Sequence, residues 1–187
     1  WQVLVSVGIH GIITVLAFAD VLAGNSSPLL ALSYSASFAV SGVAFAVFMR
    51  SRNSGEKQTA KAGAVSAIMG ATEPAMYALI KPDKKRFALC CAGGALGGAT
   101  AGFFGISMHA YAGMGITGLF GFFQTGDVKL VGVLLMAVLP FGFTWLIEML
   151  LYRQEKAVES EEIIVMPVNG SVEQLENAED TVFASKA

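Results

Sequence analysis

The chain has 187 residues, of which 55 % are hydrophobic and 14 % are charged, and its formal net charge is −2. Soluble domains carry roughly 25 % charged residues, so this composition argues against a soluble domain and is typical of a membrane protein. The small net charge and the lack of a basic, aromatic-rich face argue against nucleic acid as a partner. We therefore expect the lipid bilayer to surround much of the chain.

The apolar segments predict helices in chain order. Residues 3–22 form the first apolar segment, which His10 and Asp20 interrupt. Residues 29–49 carry no charge and, at about 20 residues, are long enough to cross the hydrocarbon core as a helix. Residues 50–61 are polar and are predicted to form a loop.

The next apolar segment, residues 62–80, contains a carboxylate beside a proline, Glu73-Pro74. Proline lacks an N–H and disfavours helical geometry in the residue before it, so the backbone is expected to break here. A break at bilayer depth must be buried in protein or line a water-filled cavity, and a carboxylate there marks a functional site by default. The segment is therefore predicted to form two short arms around a re-entrant turn. The other interpretation is a helix end near the interface, with Glu73 in water.

Residues 87–126 carry no formal charge, and about 40 residues are too many for one membrane helix. They are predicted to form one span and a second, irregular or re-entrant segment that is interrupted by glycines, and residues 129–151 form the last span. The predicted fold class is therefore all-α and polytopic, with transmembrane helices and re-entrant hairpins. Five glycines in two interleaved series, each with a spacing of four residues, predict a flat helix face for close packing. They are Gly93, Gly94, Gly97, Gly98 and Gly102.

Basic residues predict the orientation of the chain. Segments 50–61 and 81–86 are both rich in lysine and arginine, and Arg153 follows the last span. Short basic loops favour the cytoplasm, so residues 62–80 are expected to enter and leave the membrane on the same side. This requirement agrees with the break at Glu73-Pro74, and it predicts a cytoplasmic C-terminal tail.

Few other side chains suggest chemistry. His10 lies in Gly8-Ile9-His10-Gly11, and by itself this pattern favours a histidine that hydrogen-bonds a neighbouring helix. His109 is interpreted as an interfacial residue, and Cys90 and Cys91 are interpreted as packing residues. No spacing of His, Cys, Asp or Glu predicts a metal site, and no cofactor is predicted.

The segment Gly70-Ala71-Thr72-Glu73-Pro74-Ala75-Met76-Tyr77 resembles the G-I-T-E-P-A-I-Y signature of enzyme IIC. Enzyme IIC is the membrane subunit of bacterial phosphotransferase-system (PTS) sugar permeases, here of the glucose/β-glucoside/sucrose superfamily. Gly8-Ile9-His10 resembles the G-L-H element of the same family, and the basic and glycine-rich segments follow in the family's order. Residues 1–152 are thus similar to the C-terminal, sugar-binding part of enzyme IIC.

The resemblance implies a fragment of a β-glucoside-, sucrose- or trehalose-type permease, which binds a sugar in the membrane and presents it for coupled transport and phosphorylation. Such a protein is a multi-pass component of the bacterial plasma membrane. The complete enzyme is a protein-Nπ-phosphohistidine–sugar phosphotransferase. Its implied partners are the sugar, phosphorylated enzyme IIB and IIA domains and, when complete, a second copy in a homodimer.

The resemblance also implies roles for individual residues. Glu73 and His10 match family positions that contact the reactive sugar hydroxyl, so both are predicted to be catalytic and to bind substrate. Thr72 and Pro74, from the same signature, are predicted to bind substrate. The cysteine that donates the phosphoryl group is not expected in this chain.

The C-terminal tail resembles a different domain. Val165-Met166-Pro167-Val168-Asn169-Gly170-Ser171-Val172 and Asp180-Thr181-Val182-Phe183-Ala184-Ser185 are similar to the opening of a glucose-type enzyme IIA domain. Residues 161–187 are therefore predicted to be the truncated, β-type start of that domain, and residues 153–160 a charged linker. The alternative is a disordered acidic tail. Because the chain begins at Trp1 within apolar sequence, we expect an N-terminal part to be missing.

A function of another class stays open. Broken hairpins and midplane carboxylates also occur in ion- or proton-coupled secondary transporters, in which Glu73 would be the ion site. A third possibility is an inactive remnant of a permease.

Overall fold

The computed structural model of the chain describes residues 1–123 and 130–152, which belong to one compact unit. These residues form helices joined by short connections, and no strand occurs within the two described ranges. The predicted linker and enzyme IIA-like segment, residues 153–187, lie outside the described residues. In chain order the helices are α1 (Gln2–Val7), α2 (His10–Leu22), α3 (Pro28–Arg50), α4 (Ser54–Ile68), α5 (Glu73–Ala75), a π-helix (Met76–Ile80), α6 (Lys84–Phe104), a 3₁₀ helix (Gly115–Phe122) and α7 (Leu130–Leu151).

Three helices, α3, α6 and α7, are long and apolar enough to cross a membrane. Helix α3 is the central one, because 83 % of its most apolar 18-residue stretch is buried, against 28 % in α6 and in α7. The hydroxyl of Ser27 caps the first turn of α3 by accepting a hydrogen bond from the amide of Leu30. Pro28 is the first residue of the helix, where an N–H would have no partner within the helix, so proline is tolerated there. The predicted all-α membrane fold is confirmed.

The glycine spacing in α6 is confirmed as a packing signal at two positions. A side-chain carbon at Gly93 would collide with Thr144 of α7, and one at Gly97 would collide with Ser35 of α3. A side-chain carbon at Gly102 would meet nothing within 4 Å. The face of closest helix approach therefore contains Gly93 and Gly97, and it does not extend over the whole predicted series.

The structure corrects two predicted boundaries. The sequence predicts a loop over residues 50–61, but α4 begins at Ser54, because the side chain of Asn53 accepts hydrogen bonds from the amides of Gly55 and Glu56. The polar composition of these residues is explained by the exposure of most of them to solvent, and not by the absence of a helix. The predicted break at Glu73-Pro74 lies slightly earlier, at residues 69–72, and Pro74 stands in the first turn of α5.

The first apolar segment, residues 3–22, is divided into α1 and α2. Helix α1 ends at Gly8, whose φ of 87° is in the left-handed region that glycine adopts at low cost. Helix α2 then begins at His10 and continues through Asp20 to Leu22.

One end of the bundle carries a charged cluster formed by Glu56 of α4, Arg86 of α6 and Glu148 of α7. Arg86 Nε donates to Glu148 Oε1 at 2.9 Å, and Arg86 Nη1 donates to Glu56 Oε1 at 3.2 Å. Arg86 Nη1 also lies 3.5 Å from the carbonyl oxygen of Leu79, in the π-helix. Arg86 therefore contacts α4, at Glu56, and the π-helix, at Leu79, so the chain before and after the break at residues 69–72 meets at this end of the bundle.

Candidate functional site

The candidate site lies where two helix breaks meet. The break at Gly8 places His10 in the first turn of α2, and the break at residues 69–72 places Glu73 in the first turn of α5. His10 Nε2 lies 3.2 Å from Glu73 Oε1, although the two residues are 63 positions apart in the chain. The fold thus brings together the two side chains that the sequence predicts to be catalytic.

Two side chains beyond Glu73 hold the end of α1 in place. The hydroxyl of Tyr77 donates to the carbonyl oxygen of Val5 at 3.0 Å, and Lys81 Nζ donates to the carbonyl oxygen of Ser6 at 2.9 Å. Both carbonyls belong to the last turn of α1, where helical oxygens lack partners within the helix and a cation interacts favourably with the helix dipole. These bonds fix the Gly8 break relative to the hairpin.

The second break is held by a contact between two glycine backbones. Gly70 and Gly115 have φ values of 103° and 59°, both in the left-handed region. A side-chain carbon at Gly115 would collide with the amide nitrogen of Gly70 and the carbonyl oxygen of Ile68. Because both residues are glycines, the start of the 3₁₀ helix and the irregular segment before it pack directly against the backbone of residues 68–70. This segment, predicted to be irregular from its glycines, contributes Tyr111 and Met114 to the site.

His10 and Glu73 line an open cleft of about 250 Å³. This volume is near the lower end of the roughly 300–1,000 Å³ typical of small-molecule sites. The wall combines hydroxyl groups with aromatic rings, so it offers both polar and apolar contacts to a ligand. The other lining residues are Trp1, Gly11, Thr14, Ser33, Ser37, Gly70, Thr72, Tyr111 and Met114.

The two central side chains present different atoms to the cleft. Glu73 has 46 % of its side chain exposed, whereas His10 has 24 %. A carboxylate oxygen accepts hydrogen bonds, so Nε2 of His10 is assigned as the donor to Glu73 Oε1. Nδ1 of His10 is buried and has no hydrogen-bond partner among the described residues. His10 thus orients Glu73, whose second oxygen stays available to a ligand.

The other predicted site residues differ in position. Thr72 lines the cleft and is 7 % exposed. Pro74 is exposed in the first turn of α5 and is not part of the lining, so its contact with substrate stays a prediction. His109 does not line the cleft, and its backbone amide donates to the carbonyl oxygen of Gly121.

Several lining residues carry no recognisable motif. Ser33 and Ser37 are one helical turn apart on α3, so their spacing alone could have indicated a polar face on an apolar span. Thr14 lies one turn after His10 on α2, on the same face. No local signal points to Tyr111, because its position depends on the contact between Gly70 and the segment that carries it.

The charged cluster also includes a carboxylate that the sequence could have indicated. Glu148 is 5 % exposed within the apolar helix α7, and such a charge in a span is rare unless it is paired. Outside the membrane-spanning helices, burial disfavours the ionised form of Glu56. Hydrogen bonds from Ser51 and Tyr152 and the charge of Arg86 outweigh that effect, so the pKa of Glu56 lies below its ordinary value. Among the described residues, no group of three His, Cys, Asp or Glu side chains could hold a metal ion.

Comparison with known proteins gives several similar permease components. The chain is 34 % identical over 127 residues to the PTS β-glucoside-specific EIIBCA component of Halalkalibacterium halodurans, which covers 68 % of this chain and 20 % of that protein. It is 30 % identical over 193 residues to the corresponding component of Bacillus subtilis, which covers 99 % of this chain and 32 % of that protein. It is 31 % identical over 125 residues to the PTS sucrose-specific EIIBC component of the same bacterium, which covers 67 % of this chain and 24 % of that protein.

The chain therefore spans about a fifth to a third of the length of these relatives. No family model matches the chain, and no solved structure matches it.

Proposed function

Because the chain belongs to the family of PTS sugar permeases that includes the β-glucoside- and sucrose-specific components, we propose that it forms the sugar-binding part of enzyme IIC. The observation that supports this proposal best is the pairing of His10 with Glu73 at 3.2 Å in a cleft rich in hydroxyl groups. The names of the relatives favour a sugar permease over the ion-coupled transporter that the sequence alone leaves open.

The hydrogen-bonding state of the cleft suits a ligand with many O–H donors. Thr14 donates its hydroxyl hydrogen to the carbonyl oxygen of His10, and Ser37 donates to that of Ser33. Ser33 is placed to donate either to the carbonyl oxygen of Leu30 or to the sulfur of Met114. Each of these three hydroxyl oxygens keeps lone pairs but has its hydrogen engaged, so this part of the wall accepts hydrogen bonds. A sugar supplies the matching donors.

The proposed chemistry is the activation of one sugar hydroxyl. Glu73 accepts the hydrogen bond of that hydroxyl and takes its proton as the sugar oxygen attacks phosphorus, while His10 orients the carboxylate. The bond between phosphorus and the cysteine sulfur of phosphorylated enzyme IIB breaks, and the thiolate leaves. The role of this chain is then to bind and position the sugar, which accounts for much of the catalysis of phosphoryl transfer. Cys90 is fully buried in α6 and is not placed to carry a phosphoryl group.

A matched pair of variants tests the proposal in the complete permease. Glu73→Gln removes the charge and basicity of the cleft but keeps the shape, and Asp20→Asn makes the same change at an exposed site on α2 outside the cleft. The measurement is phosphoenolpyruvate-dependent phosphorylation of a radiolabelled β-glucoside or sucrose by membranes supplied with the soluble phosphotransfer proteins. Loss of a positioned base is expected to cost about 10²–10⁴-fold in rate, with Asp20→Asn unaffected. Near-normal turnover by Glu73→Gln would remove the carboxylate from the mechanism.

The multi-pass arrangement, the plasma-membrane location, the homodimer and the cytoplasmic position of the charged cluster and of residues 153–187 belong to the same proposal. The plasma-membrane location and the homodimer rest on the likeness to PTS permeases, whereas the cytoplasmic position rests on the basic residues near the cluster, because short basic loops favour the cytoplasm. Single cysteines at Ser54 and Pro82, in a chain without Cys90 and Cys91, test the orientation with an impermeant thiol reagent. Both sites should be protected in intact cells and labelled in inverted vesicles. Labelling of either site from outside the cell would contradict the orientation.

A further inference from the structure

A second cleft lies beside the charged cluster and is larger than the His10–Glu73 cleft. Its volume is about 410 Å³, and it is lined by Met49, Arg50, Ser51, Arg52, Lys57 and Tyr152. It shares no lining residue with the cleft at His10 and Glu73. The proposed sugar chemistry does not use it, so it calls for a separate explanation. We refer to it as the basic cleft.

The positive charge of the basic cleft is not neutralised by the described residues. Arg50, Arg52 and Lys57 are exposed, and none of them forms an ion pair within residues 1–123 and 130–152. The nearby carboxylate of Glu56 is already engaged by Arg86, Ser51 and Tyr152. Three cations around one concave surface therefore favour an anionic ligand.

An apolar wall borders the basic cleft on α3. Met49 lines the cleft and is 49 % exposed, and Phe45, one helical turn earlier, is 37 % exposed. Lys57 Nζ lies 5.6 Å from the centre of the ring of Phe48, which neighbours Met49 on α3, so this cation also adjoins an apolar side chain of the helix. Helix α3 is long and apolar enough to span a membrane, and the wall lies in its last turns. A membrane lipid has the same arrangement of charge and apolar chain.

We propose that the basic cleft binds an anionic phospholipid, with the phosphate among Arg50, Arg52 and Lys57 and an acyl chain along Phe45 and Met49. Basic pockets at the cytoplasmic ends of membrane helices bind anionic headgroups through the same combination of charges. A free phosphate ion would use only the charges and would leave the apolar wall exposed. The lipid accounts for both features, and its binding would anchor α3 and α4 where the hairpin begins.

The test uses the whole 187-residue chain, purified in a neutral detergent, and two matched double variants. Arg52→Gln/Lys57→Gln removes two cations of the basic cleft and leaves Arg50 at the C-terminus of α3. Lys84→Gln/Lys85→Gln removes two exposed cations at the start of α6, outside the cleft. Native mass spectrometry and thermal unfolding are measured with phosphatidylglycerol and with phosphatidylcholine. Circular dichroism without lipid confirms that each variant is folded, and the single variants Arg52→Gln and Lys57→Gln replace the double variant if it is not.

The original chain should bind phosphatidylglycerol in preference to phosphatidylcholine and be stabilised by it. Arg52→Gln/Lys57→Gln should weaken that binding by roughly tenfold or more, and Lys84→Gln/Lys85→Gln should leave it unchanged. Equal losses in the two double variants, or a loss in neither, would overturn the proposal. Stabilisation by inorganic phosphate or glycerol phosphate to the same extent and at the same concentration would also overturn it, because the ligand would then be a free anion.

Discussion

The hydroxyl of Tyr77 donates a hydrogen bond to the carbonyl oxygen of Val5 at 3.0 Å, across 72 positions of the chain. Tyr77 follows Glu73 by one helical turn, and Val5 precedes His10 on the other side of the Gly8 break. The bond therefore joins the two segments that carry the central side chains of the site. It gives the last residue of the segment 70–77 a structural role that is separate from contact with a ligand.

Tyr77→Phe tests this role because it removes the hydroxyl and keeps the ring. A typical intramolecular hydrogen bond contributes about 0.5–1.5 kcal/mol, so we expect sugar affinity to fall by roughly twofold to tenfold as His10 loses its fixed position. Tyr152→Phe is the matched control, since its hydroxyl donates to Glu56 in the charged cluster. Equilibrium binding of labelled sugar by the complete permease measures the effect. Equal affinities in the two variants would show that the Tyr77 hydroxyl does not position the site.

His10→Ala should impair sugar binding and phosphorylation, because Glu73 Oε1 would lose the donor that orients it. His109→Ala should be mild, since His109 does not line the cleft. The comparison is made on the complete permease with the phosphoenolpyruvate-dependent assay. A greater loss in His109→Ala than in His10→Ala would contradict the assignment of the site.

Arg86→Gln should destabilise the fold strongly, because it leaves the buried carboxylate of Glu148 without its partner. Removing one member of a buried ion pair costs about 3–5 kcal/mol, and the partial exposure of this cluster favours the lower figure. Thermal unfolding in detergent should show a large drop for Arg86→Gln and a small change for Lys85→Gln, which removes an exposed cation one residue away. The double variant Arg86→Gln/Glu148→Gln should recover part of the loss. Similar melting temperatures for the two single variants would contradict a structural role for the cluster.

Stability should fall in acid through Glu56. Its pKa is held below the ordinary value of 4.5, so the stabilisation is fully present above pH 4.5 and is lost as the pH falls through the lowered pKa. Melting temperatures measured from pH 6 downward should therefore decline more steeply for the original chain than for Glu56→Gln. Parallel curves would show that Glu56 does not contribute to the acid sensitivity.

Gly97→Ala should disrupt the contact of α6 with α3 and α7, because the added carbon would collide with Ser35 and Pro140. Overpacking of this kind typically costs about 1–3 kcal/mol. Gly102→Ala places the same carbon in open space on the same helix and should be neutral or slightly stabilising. Thermal unfolding of the two variants measures this difference, and equal melting temperatures would contradict the close approach at Gly97.

The sequence predicts the spans and the central pair, but not the cleft around that pair. Long apolar segments are reliable because length and composition alone fix them, as for α3 and α7. The assignment of His10 and Glu73 to one site comes from the resemblance to enzyme IIC. Their 3.2 Å approach depends on two backbone breaks whose positions follow from long-range contacts, such as that between Gly70 and Gly115. No local pattern contains that information.

The errors in the predicted boundaries have local causes. Asn53 indicates the start of α4, since asparagine is a favoured helix cap, but the polar composition of the residues after it favours a loop. Pro74 indicates a break, yet proline is also favoured in the first turn of a helix, and here it follows the break. A proline therefore fixes the location of a break only to within a turn of helix.

The contacts of Arg86 hold the two arms of the hairpin together at one end. One guanidinium group binds Glu56 on the outgoing arm and approaches the carbonyl oxygen of Leu79 on the returning arm, while Glu148 anchors it to α7. The two arms are thus clamped at their base, and Glu73 lies at the start of the returning arm, near the far tip. The tip is held by other contacts, those of Glu73 with His10 and of Gly70 with Gly115, so the base and the tip of the hairpin are fixed to different helices of the bundle.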